Sequence, residues 1–326
     1  MRLRRKLPVW LGFLIIVAAV WAVVFLRKHA PPEPARLLPT ADGFVYVDLK
    51  WMRYTEVAKK LPAVAHDPDY EQFIQATGFE FEHDLQEVAV AIHYPNPQTG
   101  SETRFSWVFV ARIDGDRLRT YLAKLASSVE TYRAIDIYSI PLENRVLRVA
   151  VLGSDTVAAS NVNDPLTIRG IIDRSRKVAS PFGGPALLRQ SYKHVPLGSL
   201  AWAIFKLNSS DAQPAALGLP ASSPATAVVS VRYVPLVGEV ALRGEAFAHD
   251  EPAAEQLTEQ ANTYLAIFHA AEISVSSGQT PDPDIRKALD SLKVEQHKNR
   301  TVLTATLSAA LLRKLVAEAP GQLAPK

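Results

Sequence analysis

The sequence predicts an α+β protein, with an N-terminal single transmembrane helix followed by two similar units of mainly antiparallel sheet with helices packed on one face. Three observations predict it. Residues Leu7–Leu26 form an apolar run with no charged side chain. Beyond it, β-branched and aromatic segments alternate with turn-rich stretches and with segments of helical periodicity. The order strand, hairpin, helix, hairpin, helix then occurs twice along the chain.

The run LPVWLGFLIIVAAVWAVVFL has 20 residues. As an α-helix it spans about 30 Å, the thickness of a bilayer's hydrocarbon core. Arg2, Arg4, Arg5 and Lys6 precede it and Arg27 and Lys28 follow it. The excess of positive charge on the N-terminal side keeps that end cytoplasmic and sends the remainder across the inner membrane, into the periplasm. A cleaved secretory signal is the alternative, although such an apolar core is shorter and ends at a small-residue site, which FLRKHAPPEP does not offer. His29–Pro39 has four prolines and reads as a semi-rigid spacer.

Composition narrows the function classes. Six of the 36 Lys and Arg lie in residues 1–28, which hold no Asp or Glu; the remaining 30 face 33 acidic residues, a formal charge of −3. Basicity therefore belongs to the anchor, and nucleic acid is not an expected partner. The absence of cysteine excludes disulfides, thiolate catalysis and Cys-based zinc sites. With 48% hydrophobic residues the chain after the anchor can bury a substantial core.

In the first half, Phe44–Leu49 reads as a strand, and short helices follow around Trp51–Leu61 and Tyr70–Thr77, the second closed by Gly78. Glu87–Tyr94 and Arg104–Arg112 flank the turn-rich PNPQTGSET as a hairpin. Asp114 caps a helix whose Leu118, Tyr121, Leu122 and Leu125 form an apolar stripe. Ala134–Ile140 and Arg145–Leu152 make a second hairpin, Thr156–Ser160 a short strand, and Asn163–Arg174 a helix with Pro165 in its first turn.

The second half repeats the order. Ser199–Lys206 takes the place of the first strand, and Ala225–Val234 pairs with Glu239–Ala248. Glu251–Ala271 is a helix with Leu257, Ala261, Tyr264, Leu265 and Phe268 on one face. Lys293–His297 pairs with Thr301–Leu307, and a helix begins at Ser308. The expected organisation is residues 1–28 as cytoplasmic tip and anchor, 29–40 as spacer, 41–177 as first unit, 178–186 as linker, 187–318 as second unit and 319–326 as flexible tail. Asn208–Pro224 reads as a surface loop.

No nucleotide, phosphate-loop, zinc-protease, nucleophile-elbow or EF-hand motif is present, so no catalytic, cofactor-binding or metal-binding residue is singled out. The eight histidines lack ligand spacing. His66–Glu71 offers oxygen ligands for a hard cation, but reads better as an acidic helix start. Glu80–Asp84 reads as a solvated loop entering the next strand. Phe105, Trp107 and Phe109 share one strand face, either as core beneath a helix or as the lining of a pocket. The sequons at Asn208 and Asn299 matter only in a chain that passes through an endoplasmic reticulum.

The opening LLPTADGFVYVDLKWMR (Leu37–Arg53) and the segment DPDYEQFIQATGFEFEHDLQEVAVAI (Asp67–Ile92) resemble recurring elements of bacterial membrane-anchored proteins grouped as a domain of unknown function. The shared residues are a Pro turn, a glycine cap after Thr77 and an acidic strand entry. The resemblance implies an envelope location and carries no site residue. The expected function is thus a non-enzymatic binding or interaction module of the cell envelope. Its expected partners are the lipid bilayer, through the N-terminal helix, and an envelope protein or cell-wall material. An accessory subunit of an envelope transport or assembly complex and a hydrolase using dispersed carboxylates are the alternatives.

Overall fold

The computed structural model describes residues 30–53, 66–95, 102–176, 183–207, 226–235, 238–275, 283–308, 310, 311 and 314. The apolar run Leu7–Leu26, the later part of the helix expected over Trp51–Leu61, most of the turn PNPQTGSET, the loop Asn208–Pro224 and the tail lie outside them. Among the described residues no helix is long and apolar enough to cross a membrane.

The first elements are α1 (Glu33–Leu37), β1 (Gly43–Asp48), α2 (Leu49–Arg53), α3 (Pro68–Thr77) and α4 (Phe81–Asp84). The stretch expected as a spacer folds back instead. Ala35 and Leu38 are fully buried, and Arg174 Nε donates to Leu37 O at 2.7 Å, satisfying a carbonyl at the end of α1. Helix α3 has the ends its sequence calls for. Asp67 accepts from Tyr70 N at 2.8 Å, Pro68 takes the first turn, and Gly78 closes the helix at φ 69°. The acidic stretch around Asp67 is thus a helix start.

Next come β2 (Leu85–His93), β3 (Arg104–Ala111), α5 (Gly115–Leu125), β4 (Ser128–Tyr132), β5 (Ile135–Leu142), β6 (Arg145–Val151), β7 (Thr156–Ser160) and α6 (Leu166–Arg176). Asp114 Oδ1 accepts from the amides of Asp116 and Arg117, both at 3.1 Å, and starts α5. Its stripe is narrower than expected, since Leu118 and Leu122 are buried whereas Leu125 is exposed. Then follow α7 (Ala186–Ser191), β8 (Ser199–Lys206), β9 (Thr226–Val234), β10 (Glu239–Phe247), α8 (Glu251–Val275), α9 (Pro283–Asp290), β11 (Lys293–His297) and β12 (Arg300–Ser308).

The expectation of two units, each with its own sheet and helices on one face, is overturned. The strands of the described residues form a single antiparallel sheet of 12 in the order β11-β12-β10-β9-β8-β1-β2-β3-β7-β6-β5-β4. The join is the pairing of β1 with β8, from Gly43 opposite Phe205 to Val47 opposite Ala201. Both strands carry apolar residues on both faces, so each would be an exposed edge in a separate sheet. Pairing them removes both edges.

Helices also cover both faces. On the front face α1, α6 and α7 pack over Phe44, Tyr46, Ala89, Val108, Ala158, Trp202 and Ile204, with Ile168, Ile171 and Ile172 of α6 fully buried. Each such isoleucine contributes about 1.5–3 kcal/mol. On the back face α5 sets Leu118 and Leu122 on Val149, Val151 and Val157. Farther along that face, α8 meets β12, where Thr258 and Thr301 hydroxyls lie 2.8 Å apart.

The aromatic ladder lies on the back face. Phe105 and Trp107 stack at 5.7 Å, and Trp107 and Phe109 are half-buried against the α5 cluster. The deeply buried side of β3 is the opposite one, where Ser106 and Val108 are 0% exposed. The ladder is therefore the flank of a core.

Candidate functional site

Tyr46 and Glu87 occupy the front face on the two central strands β1 and β2. Alternation along β1 places Phe44, Tyr46 and Asp48 on that face. The register sets Asp48 opposite Glu87 and Tyr46 opposite both Ala89 and Trp202. Tyr46 stacks on Trp202 with ring centroids 5.5 Å apart, and Tyr192 meets Trp202 edge-on at 5.4 Å. The phenol of Tyr46 is held in place by these rings and donates to Glu87 Oε2 at 2.9 Å.

A cavity of about 610 Å³ opens over this pair. Its walls include Tyr46, Glu87 and Gln86 from the sheet, Glu33 from α1, and Asp155 from the turn before β7. Among the described residues three carboxylates and no Lys, Arg or His line it. Its volume falls in the range of small-molecule sites.

Burial, and the Asp48 carboxylate across the strand pair, hold Glu87 above the usual glutamate range, against the lowering effect of the Tyr46 hydrogen bond. Burial and the neighbouring Glu87 push the Tyr46 phenol far above an ordinary tyrosine. Burial raises Asp48 too, but Asp48 Oδ1 accepts from Trp51 N at 2.9 Å and is committed to the start of α2. Burial alone pushes Tyr192 up to about 12. Glu87 is thus a desolvated carboxylate facing a cavity, with a tyrosine as its only hydrogen-bond partner among the described residues. Such a group can receive a donor-rich ligand.

The residues weighed from sequence are placed elsewhere. His93, at the end of β2, is half-buried, with Nε2 3.2 Å from Ser106 Oγ, which lies 2.9 Å from Ser160 Oγ. Burial lowers its pKa. His83 Nδ1 pairs with Glu80 Oε2 at 2.5 Å within the exposed α4 region. No group of three or more metal-ligating side chains occurs among the described residues. Sequence reasoning missed Glu87 because its signal is a cross-strand pairing, Asp48 with Glu87, that only the register reveals.

No protein-family model and no curated protein matches the chain. Among solved structures, TP0453 in crystal form III is similar at a TM-score of 0.49 and 9% identity, over 89% of this chain and 98% of that one. Crystal form I of TP0453 gives 0.45 and 10% over the same shares. Likeness at this level assigns no function to the chain.

Proposed function

We propose that the chain is a non-enzymatic binding protein of the cell envelope, tethered to the inner membrane by Leu7–Leu26 with its N-terminus cytoplasmic and its sheet domain periplasmic. The observation that carries the binding reading is the cavity over Tyr46 and Glu87, lined by three carboxylates and, among the described residues, by no cation. Its field favours a ligand that brings positive charge or several hydrogen-bond donors, such as an amine- or hydroxyl-bearing component of the envelope. The cavity is also near the tether. Glu33 follows Leu26 by seven residues, which bridge no more than about 25 Å. The ligand is therefore met close to the membrane surface.

A carboxylate hydrolase would need a second uncommitted carboxylate beside Glu87. Asp48, its cross-strand neighbour, caps α2 and is committed there, so such a reading would have to use Glu33 or Asp155 on the cavity wall.

The test uses the full chain extracted in mild detergent and analysed by native mass spectrometry. Wild-type protein carries a non-covalent ligand mass. Reversing charge at the exposed rim with Glu33→Lys and Asp155→Lys removes that mass and leaves the thermal transition in place. A ligand-free wild-type protein, or equal loading of the double variant, would refute the proposal. External protease on spheroplasts tests the location: digestion beyond Lys28 is expected, and complete protection would overturn it.

A further inference from the structure

The front face carries a second cavity, of about 530 Å³, between the turn before β8 and strands β9, β10 and β12. Its character is opposite to the first. Lys193, His194, Arg232, Arg243 and Arg300 line it, with Glu245 as the carboxylate in its wall.

The strand register shows how unusual these side chains are at their positions. Val45 and Ala203 face each other across the β1–β8 seam. Counting outward from that seam, Ala91, Ser106 and Val108 on β2 and β3 occupy the places that Ser230, Arg243 and Glu245 occupy on β9 and β10. The first three are fully buried beneath helices. On the other side of the seam the same places hold an ion cluster facing a cavity.

That cluster is built around Glu245, whose side chain is 3% exposed. Arg243 donates to Glu245 Oε1 from Nε at 2.8 Å and lies 2.7 Å from it through Nη2. Arg300 Nη1 donates to Glu245 Oε2 at 2.8 Å and approaches His194 Nδ1 at 3.2 Å. The two guanidinium groups are fixed by one carboxylate, and each keeps N–H groups that make no hydrogen bond among the described residues. Arg232, on the same face of β9, forms no ion pair among the described residues. Burial keeps His194 below the ordinary histidine pKa, hence neutral at pH 7. Lys193, Arg232, Arg243 and Arg300 therefore bring four positive charges to the lining against the one negative charge of Glu245. Thr304 and Thr306 add hydroxyl groups to the lining, while Ser230 Oγ donates to Arg243 O at 3.4 Å.

We propose that this cavity binds a phosphate monoester, with Arg232, Arg243 and Arg300 holding the phosphoryl oxygens. A phosphate carries close to two negative charges and three strong acceptor oxygens, which matches the excess charge and the surplus donors better than a carboxylate does. Planar guanidinium forks suit its geometry. The cavity is large enough for the phosphate to be carried by a small organic group. The ester can be a soluble metabolite or a lipid headgroup, since both present the same chemistry. The site is separate from the acidic cavity, and its test does not depend on that cavity.

Titration calorimetry of the full chain in neutral detergent tests it, with glycerol 3-phosphate as the soluble probe and dihexanoyl phosphatidate as the lipid probe. Saturable binding of either, weakened by added salt, is expected. Stronger binding of the first assigns a soluble source and of the second a lipid one. Arg232→Gln removes an exposed cation that forms no ion pair among the described residues, so the thermal transition stays unchanged while affinity falls about tenfold or more. Glu33→Lys, in the other cavity, leaves phosphate binding unchanged. Absence of binding by both probes, or equal affinity in Arg232→Gln, would overturn the proposal.

Discussion

Phe44 is 0% exposed on β1, one strand from the seam partner Ile204, which is also 0% exposed. Replacing Phe44 with alanine removes a ring from the front-face core and costs about 3–5 kcal/mol. If the sheet folds as one unit, that cost reaches strands on both sides of the seam. The assay is urea unfolding of a form starting at Ala30 with Trp51 replaced by phenylalanine, in two versions that retain either Trp107 or Trp202 alone. Those probes sit on opposite sides of the seam, on β3 and β8. With a urea slope near the upper end of about 1–3 kcal/mol/M, both midpoints should fall together by roughly 1–2 M. A drop confined to the Trp107 version would show two independently folding halves. That result would refute the single-sheet reasoning.

Glu87→Gln mimics the protonated carboxyl and should raise the melting temperature at pH 7, with the gap to wild type closing as pH falls toward 4, because a raised folded pKa means stability is lost as pH rises. His93 has the opposite sign: its depressed pKa makes wild-type stability fall as pH drops below about 6.5, and His93→Gln should flatten that slope in pH-dependent thermal melts. Ala134→Gly should stabilise by about 0.5–1 kcal/mol in urea unfolding, since Ala134 sits at φ 59°. Glu245→Val alone should cost about 3–5 kcal/mol by stranding Arg243 and Arg300, whereas Glu245→Val with Arg243→Ser, the residue pair found at the matching places on β3, should recover most of that stability and still bind no phosphate ester.

Most elements were legible because local chemistry specifies them. Asp67, Pro68 and Gly78 write the ends of α3 into the chain, and alternation marks β2, β3, β9 and β10. Strand β4 escaped because its turn to β5, Arg133–Ala134, lacks the Asn or Gly that announces a two-residue hairpin, yet both residues have positive φ. Helix α1 escaped because a proline-rich stretch looks like a spacer until a groove between α6 and the sheet buries Ala35 and Leu38. The single sheet was illegible for another reason. The pairing of Val45 with Ala203 joins residues far apart in sequence, across a stretch whose Ser, Pro and Gly content reads as a boundary, and no local pattern encodes it.

Both cavities follow from where the front-face core stops. Helices α1, α6 and α7 cover the sheet from β5 across the seam to Val228, and the polar groups begin where that cover ends. Glu87 lies at the rim beside α1, and Glu245 lies on the strand beyond Val228, directly opposite it in register. At such a border a side chain is held by a rigid sheet and still faces a cavity. That combination suits a site better than either a loop, which is loose, or a core, which is closed. It also explains the charges themselves. A carboxylate at full depth would need its charge compensated, as Arg243 and Arg300 do for Glu245. At the rim, Glu87 needs only the Tyr46 hydroxyl, so its remaining acceptor capacity is left to whatever enters.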